Sequence, residues 1–394
     1  MSVKKSYPKH ALSRRNFLKR GCAVMGSLPM LSTLANLAAS STVMASNHEE
    51  YKALVCVFQH GGNDSFNMLV PWENSTDNNE YGDYANARGT SLTLPRNDLL
   101  PISDPRSGRQ FAINSRMPNL RDLYNQGDVA FLANVGSLVE YATRDQVLQE
   151  TVPLPLGLFS HSDQQLHWHT SHPQSRQQQT GWGGRMLDIF TNQAGLAADT
   201  FLNISVANTN LLQTGHSVAP YVVNPSAGAI QRSGYENTVN YNQLYTDILK
   251  DLQSEQYSDA LRQTYTDFNY AALDNAKIFQ DAIGTIPLEN YESGKTGPDG
   301  MTKLFPFSSD AFGQQFAMVA KTIAANAELV RDGGPKRQIF LIASGQWDLH
   351  DDTNMAAHKG LLGSLNNGLV AFSESMKLQG LNDNVTTFTI SDFG

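Results

Sequence analysis

"ALVCVFQHGGNDSFNML", residues 53–69, decides the fold. Its first six residues are apolar without a break, the pattern of a strand buried on both faces. Two glycines, an Asn and an Asp then crowd the end of that strand. Such a junction is either a tight turn or the floor of a site.

Four further apolar runs accompany it: "VAFLANV" (129–135), "FLNISVA" (201–207), "QIFLIAS" (338–344) and "NVTTFTI" (384–390). All but the last are near-continuous rather than alternating, which predicts buried strands. Apolar residues at spacings of three and four lie between them, in 117–127, 181–193, 312–329 and 358–380. The first of these ends in Gly127, a helix stop. Strand, helix, strand, helix predicts an α/β protein, three-layered α/β/α with a mainly parallel sheet. Residues 208–300 break the pattern. They are polar, rich in Asn, Gln, Tyr and Ser, with helical patches such as "YNQLYTDILKDL", and are expected to form an inserted cap. "TISDFG" stops just after a strand, so the C-terminus is expected to be truncated.

The N-terminus carries "SRRNFLKRG" (13–21), an apolar small-residue stretch and "VMA" (43–45). Paired arginines, an h-region and a small-residue cleavage site resemble a twin-arginine (Tat) export signal over 1–45. The domain is then 46–394, periplasmic or secreted, with the Tat translocase as a partner during export. Of 29 basic residues seven fall in 1–45, where no acidic residue occurs, so the remainder holds 22 basic against 37 acidic residues. So acidic a chain is a poor nucleic-acid binder. No segment of 46–394 has the roughly 20 uninterrupted apolar residues that a membrane span needs. Only Cys56 lies beyond the signal, inside the first strand, where it reads as a small core residue.

In an open α/β sheet, ligands bind beyond the carboxyl ends of the strands. The polar residues there are Asn63, Asp64, Ser65 and Asn67 after the first strand. "FSHSDQQLHWHTSH" follows the second and supplies Ser160, His161, Asp163, His167, His169 and His172. "SGQWDLHDDTNMAAH" follows the fourth, with Asp348, His350, Asp351, Asp352 and His358, and Asp392 follows the fifth. Carboxylates and imidazoles gathered at one sheet edge are what a divalent metal requires. Each residue also has a structural use: Asp64 in a Gly-rich turn, the Asp cluster as a helix cap, His358 on a helix surface.

"SRRNFLK", "LVCVFQHGGNDSFNMLVPW", "SHSDQQ", "TGWGGRMLD", "FLIASGQWDLHDD" and "TISDFG" together resemble the exported bacterial proteins of domain-of-unknown-function family 1501, associated with the alkaline phosphatase and sulfatase superfamily. The resemblance covers most of the chain after residue 50 and matches 208–300 poorly. It implies an alkaline-phosphatase-like fold and a metal-dependent hydrolase of phosphate or sulfate esters, on a small-molecule or polymer substrate. Asp64 matches the superfamily's first metal ligand. Ser160 matches its nucleophile at a helix N-terminus, with Ser65 as the rival; His161 and Arg185 join it as catalytic candidates. Asp348 with His350 or His358 matches a later ligand set, and Asp392 the final one, although Phe393 stands where the superfamily has His. The metal expected is Zn, with Mg, Mn or Ca as alternatives. The oxidisable Cys motif of sulfatases is absent, since Cys56 is followed by "VFQHG". Two other readings compete. "GGND" also resembles a block of the Ser-His ester hydrolases, without their G-D-S. A non-catalytic binding protein on a degenerate hydrolase fold is the other, with Tyr221, Tyr235, Tyr241 and Tyr245 as carbohydrate contacts.

Overall fold

The structure, a computed structural model, describes residues 51–73, 79–193, 200–230, 241–286, 307–329, 336–350 and 355–393. The export signal, Asp351, Asp352 and Tyr235 lie outside them.

The opening stretch forms β1 (Lys52–Gln59). The strands that follow are β2 (Leu69–Pro71), β3 (Leu99–Ser103), β4 (Gln110–Asn114), β5 (Asn203–Ser205), β6 (Tyr221–Asn224), β7 (Gly228–Ala229), β8 (Arg337–Ser344) and β9 (Val385–Ser391). Six of them form one sheet in the order β7-β6-β5-β8-β1-β9. All its pairings are parallel except β6 with β7. The helices are α1 (Glu80–Leu92), α2 (Pro118–Gln126), α3 (Arg144–Leu148), α4 (His161–Thr170), α5 (Trp182–Gln193), α6 (Tyr241–Ser254), α7 (Ala260–Gly284), α8 (Ala311–Ala324) and α9 (Ala356–Leu378).

The continuous apolar run of β1 is explained by its two cores. Val55 and Val57 point into one, with Phe316, Val319 and Ile323 of α8 and Leu362, Leu365 and Phe372 of α9. Cys56 and Phe58 point into the other, with Leu187, Met186 and Phe190 of α5 and Trp168 of α4. β8 divides in the same way, Phe340 and Ile342 against Ile339 and Leu341. Successive side chains of a strand alternate faces, so a strand between two helix layers must be apolar throughout. The fold is therefore the expected three-layer α/β/α. Burial raises the Cys56 thiol pKa well above its ordinary value, as befits a core residue.

Local chemistry explains where these helices begin and end. α2 begins with Pro118 and ends at Gly127, whose φ of 85° lets its N–H reach back to the Leu123 and Tyr124 carbonyls. α8 starts at Asp310, whose carboxylate accepts from the Phe312 and Gly313 N–H groups.

Three expectations need correction. Residues 129–135 form no strand; Val129 and Phe131 pack against the core, and Leu132 and Val135 are exposed. An apolar run becomes a strand only beside a partner that takes its backbone hydrogen bonds, and none is present among the described residues. The cap expected at 208–300 begins inside the sheet, because β6 pairs with β5 and β7 with β6. Of the helix pair α6–α7 that follows, α7 packs its C-terminal half against β7 and the main core. A small antiparallel sheet, β2-β4-β3, was also not anticipated; Val70, Leu99 and Ala112 close a third core with Tyr84 of α1 and Leu94. Among the described residues no helix is long and apolar enough to cross a membrane.

Candidate metal centre

β1 lies between β8 and β9 in matched register: Gln59 is level with Ser344 on one side and Ser391 on the other. Three loops therefore leave the sheet side by side from positions some 280 and 330 residues apart. This is a topological switch point, where α/β folds form their binding crevices. The loops are tied together. The His60 N–H donates to the Ser344 carbonyl (2.8 Å) and the Trp347 N–H to the His60 carbonyl (3.2 Å). The Asn63 N–H donates to Ser391 Oγ (2.8 Å), and that hydroxyl donates to the Gln59 carbonyl (2.7 Å).

The glycines make this approach feasible. Gly61 and Gly62 have φ of 119° and 89°, values that side chains disfavour. A Cβ on Gly61 would sit 2.4 Å from the Asp348 nitrogen, and one on Gly62 would sit 2.8 Å from the Phe393 ring. The "HGGND" junction is thus a seat for the other two loops.

Helix α4 brings the fourth element. Ser160 caps it, its hydroxyl accepting from the Asp163 N–H at 3.3 Å. His161, Gln165 and His169 follow at spacings of four, so they share one helix face. His161 Nδ1 lies 2.8 Å from Asp392 Oδ2, and its Nε2 lies 3.6 Å from Asp348 Oδ2. On the other side of Asp348, its Oδ1 is 2.6 Å from His350 Nε2. His161, Asp348 and His350 each offer one ligand atom, and the three atoms lie within 4.8 Å of one another.

Asp392 is buried, and Oδ2 collects three groups: His161 Nδ1, the Gly61 N–H (3.0 Å) and Gln165 Nε2 (3.0 Å). A carboxylate accepting from Nδ1–H fixes the tautomer that leaves Nε2 with its lone pair directed at Asp348. Beneath this lie His60 and His169. Burial lowers the pKa of His60, against the pull of Asp392 and a hydrogen bond with Gln165. Burial pushes His169 down to about 4, with His60 adding to the effect and Asp392 opposing it. Both rings stack near Phe58.

The other expected residues are placed elsewhere. Asp64 does not join the cluster: the chain passes from Gly62 into a 3-10 turn, where Arg88 of α1 pairs with the carboxylate and Asn67 Nδ2 donates to it at 2.8 Å. Ser65 is exposed on that turn. His358 is buried in α9 with Nε2 2.9 Å from Asn63 Oδ1, so it braces the β1 loop from below. Asp392 serves His161 as an orienting group and is not itself in the ligand cluster. Arg185 donates to the Thr170 and Thr180 carbonyls (2.7 Å each) and so joins α5 to the end of α4. His167 is buried on another face of α4, and burial lowers its pKa. Asp163 is gripped by both arms of Arg176, which hold its carboxyl at about 2. His172 Nδ1 meets the Thr170 carbonyl at 2.7 Å.

Sequence reading missed Arg88, Gln165 and His60. Gln165 had a signal, its i+4 spacing from His161 once a helix is assigned there. Arg88 had none, because its contact with Asp64 spans an unanticipated helix.

The donor set suits a first-row divalent ion. Two imidazole nitrogens and one carboxylate oxygen are the composition of three-ligand zinc sites that keep a fourth position open. One family model, "Protein of unknown function (DUF1501)", matches residues 51–394. No curated protein and no solved structure matches the chain.

Proposed function

The chain belongs to the DUF1501 family, and we propose that it is a metal-dependent hydrolase of phosphate or sulfate esters. The observation that carries this reading is the convergence of His161, Asp348 and His350 within 4.8 Å at the carboxyl edge of the sheet. A divalent ion held there, zinc in preference to Mg, Mn or Ca, would polarise an ester oxygen and stabilise developing negative charge. His161 presents Nε2 because Asp392 holds Nδ1. Asp348 neutralises part of the added charge. The resemblance to the alkaline phosphatase and sulfatase superfamily supports the same chemistry, with a different ligand set, since Asp64 is paired with Arg88 and lies outside the cluster.

Ser160 is the proposed nucleophile. It stands at the N-terminus of the ten-residue α4, next to His161 in the chain, where the helix dipole favours an alkoxide and an anionic ester. Ser65 is disfavoured because it neighbours the Arg88-paired Asp64 rather than the cluster. Residues 1–45 would direct export through the Tat translocase to the periplasm or beyond.

One observation favours a second reading. Arg88 occupies the carboxylate that the superfamily plan gives to a metal, as expected of a degenerate member that binds without turnover. Elemental analysis of the purified full chain, with p-nitrophenyl phosphate and p-nitrophenyl sulfate as substrates, separates the cases. Stoichiometric metal with turnover that Ser160→Ala removes supports the hydrolase. Stoichiometric metal without turnover selects the binder. Absence of stoichiometric metal overturns the hydrolase and leaves the binder.

A further inference from the structure

The 25-residue α7 is half covered. Ala276, Phe279, Ala282 and Ile283, in its C-terminal half, are buried in the main core. At 3.6 residues per turn the same stripe continues backward through Ala272, Phe268, Tyr265 and Leu261. There it is bare: Phe268 is 74% exposed, Tyr265 72% and Leu261 82%. α6, which packs beside α7, adds Leu244, Ile248 and Leu252 at spacings of four, each about half exposed.

Soluble chains seldom leave large apolar patches of this kind uncovered. We infer that the α6–α7 helix pair is a dimerisation surface, and that a second copy of this chain covers it. Three features select that occupant. The bare part of the α7 stripe carries no charge; Asp267 and Asp274 fall well off it. Two copies of an acidic chain, net −8, would repel over most of their surface, so the uncharged α7 stripe is where a two-fold contact is least opposed. The same acidity disfavours an anionic lipid surface. The area also fits. At about 200 Å² for an aromatic and about 100 Å² for a Leu or Ile, the exposed fractions of these side chains come to roughly 530 Å² per copy. Two copies would bury about 1,060 Å², just above the roughly 1,000 Å² that a specific contact should clear. Across the two-fold axis each stripe meets itself, as an isologous contact requires, and helix stripes of this spacing interlock at shallow crossing angles.

Sedimentation velocity on the full chain, from about 1 to about 100 µM, tests this. A concentration-dependent dimer is expected. Leu261→Asp with Phe268→Asp should weaken it by about 30-fold or more, the loss typical of two central contacts. Both positions are exposed, so far-UV circular dichroism should be unchanged; the milder Phe268→Ser provides the same readout if it is not. A wild-type chain that stays monomeric throughout overturns the inference. So does a folded variant that dimerises as the wild type does. Neither outcome bears on metal binding at His161, which is measured separately.

Discussion

Two clusters at the carboxyl edge of the sheet resemble each other in sequence and differ in charge. Around Asp64 a carboxylate at a strand end is met by a permanent cation, Arg88, and by the Asn67 amide. Around Asp348 a carboxylate at the next strand end is met by two imidazoles, His161 and His350. Imidazoles can be neutral and give up their lone pairs, whereas a guanidinium always occupies its partner. On the proposed reading, the carboxylate met by imidazoles is the one whose counter-charge can be exchanged for a metal.

The most severe test exchanges the two. Asp348→Ala should reduce zinc affinity by more than about 100-fold, beyond what loss of an orienting group does. Asp64→Ala should leave it unchanged while lowering stability by about 1–3 kcal/mol, because the partly buried Arg88 loses its partner. Titration calorimetry and urea unfolding read the two effects; an equal loss of zinc in both variants would erase the distinction.

The next effect concerns His169, on the same α4 face as His161. Its pKa is pushed down to about 4, against about 6.5 in the unfolded chain. Between these values the unfolded state binds a proton that the folded state refuses. Stability is therefore full above pH 6.5 and falls as pH drops toward about 4, by up to about 3 kcal/mol. His169→Leu should flatten that part of the profile. Urea midpoints at several pH values would show it, and an unaltered slope would mean that His169 is not the group responsible.

Asp392→Asn sharpens the contrast between ligand and orienting group. It should cost about 10–100-fold in zinc affinity, less than Asp348→Ala. A loss as large as that of Asp348→Ala would make Asp392 a ligand. The smallest effect on stability is expected at Ser160. As an N-cap it contributes about 1 kcal/mol, which Asn can replace. Ser160→Asn should keep the melting temperature within a few degrees and remove ester hydrolysis; a variant that retains turnover would exclude Ser160 as nucleophile.

Much of this was legible in the chain. The unbroken runs at 53–58 and 338–344 read as strands between two helix layers, and Gly127 marked a helix end by local chemistry. Asp348 and His350 were identifiable as strand-end donors, but so were Asp64 and His358, with nothing to rank them; His161 was placed beside them through the run at 129–135, which forms no strand. The run at 129–135 was as apolar as the true strands, and only the lack of a partner edge leaves it without strand structure.

Residue type and spacing determined what each segment could become, because propensity, capping and periodicity act over a few neighbouring residues. Tertiary structure decided which strand ends stand level, which carboxylate meets Arg88 and which meets imidazole. Arg88 and Asp64 are 24 positions apart and His161 and Asp392 are 231 apart, and the charges that select among such pairings come from elements whose placement no local pattern records.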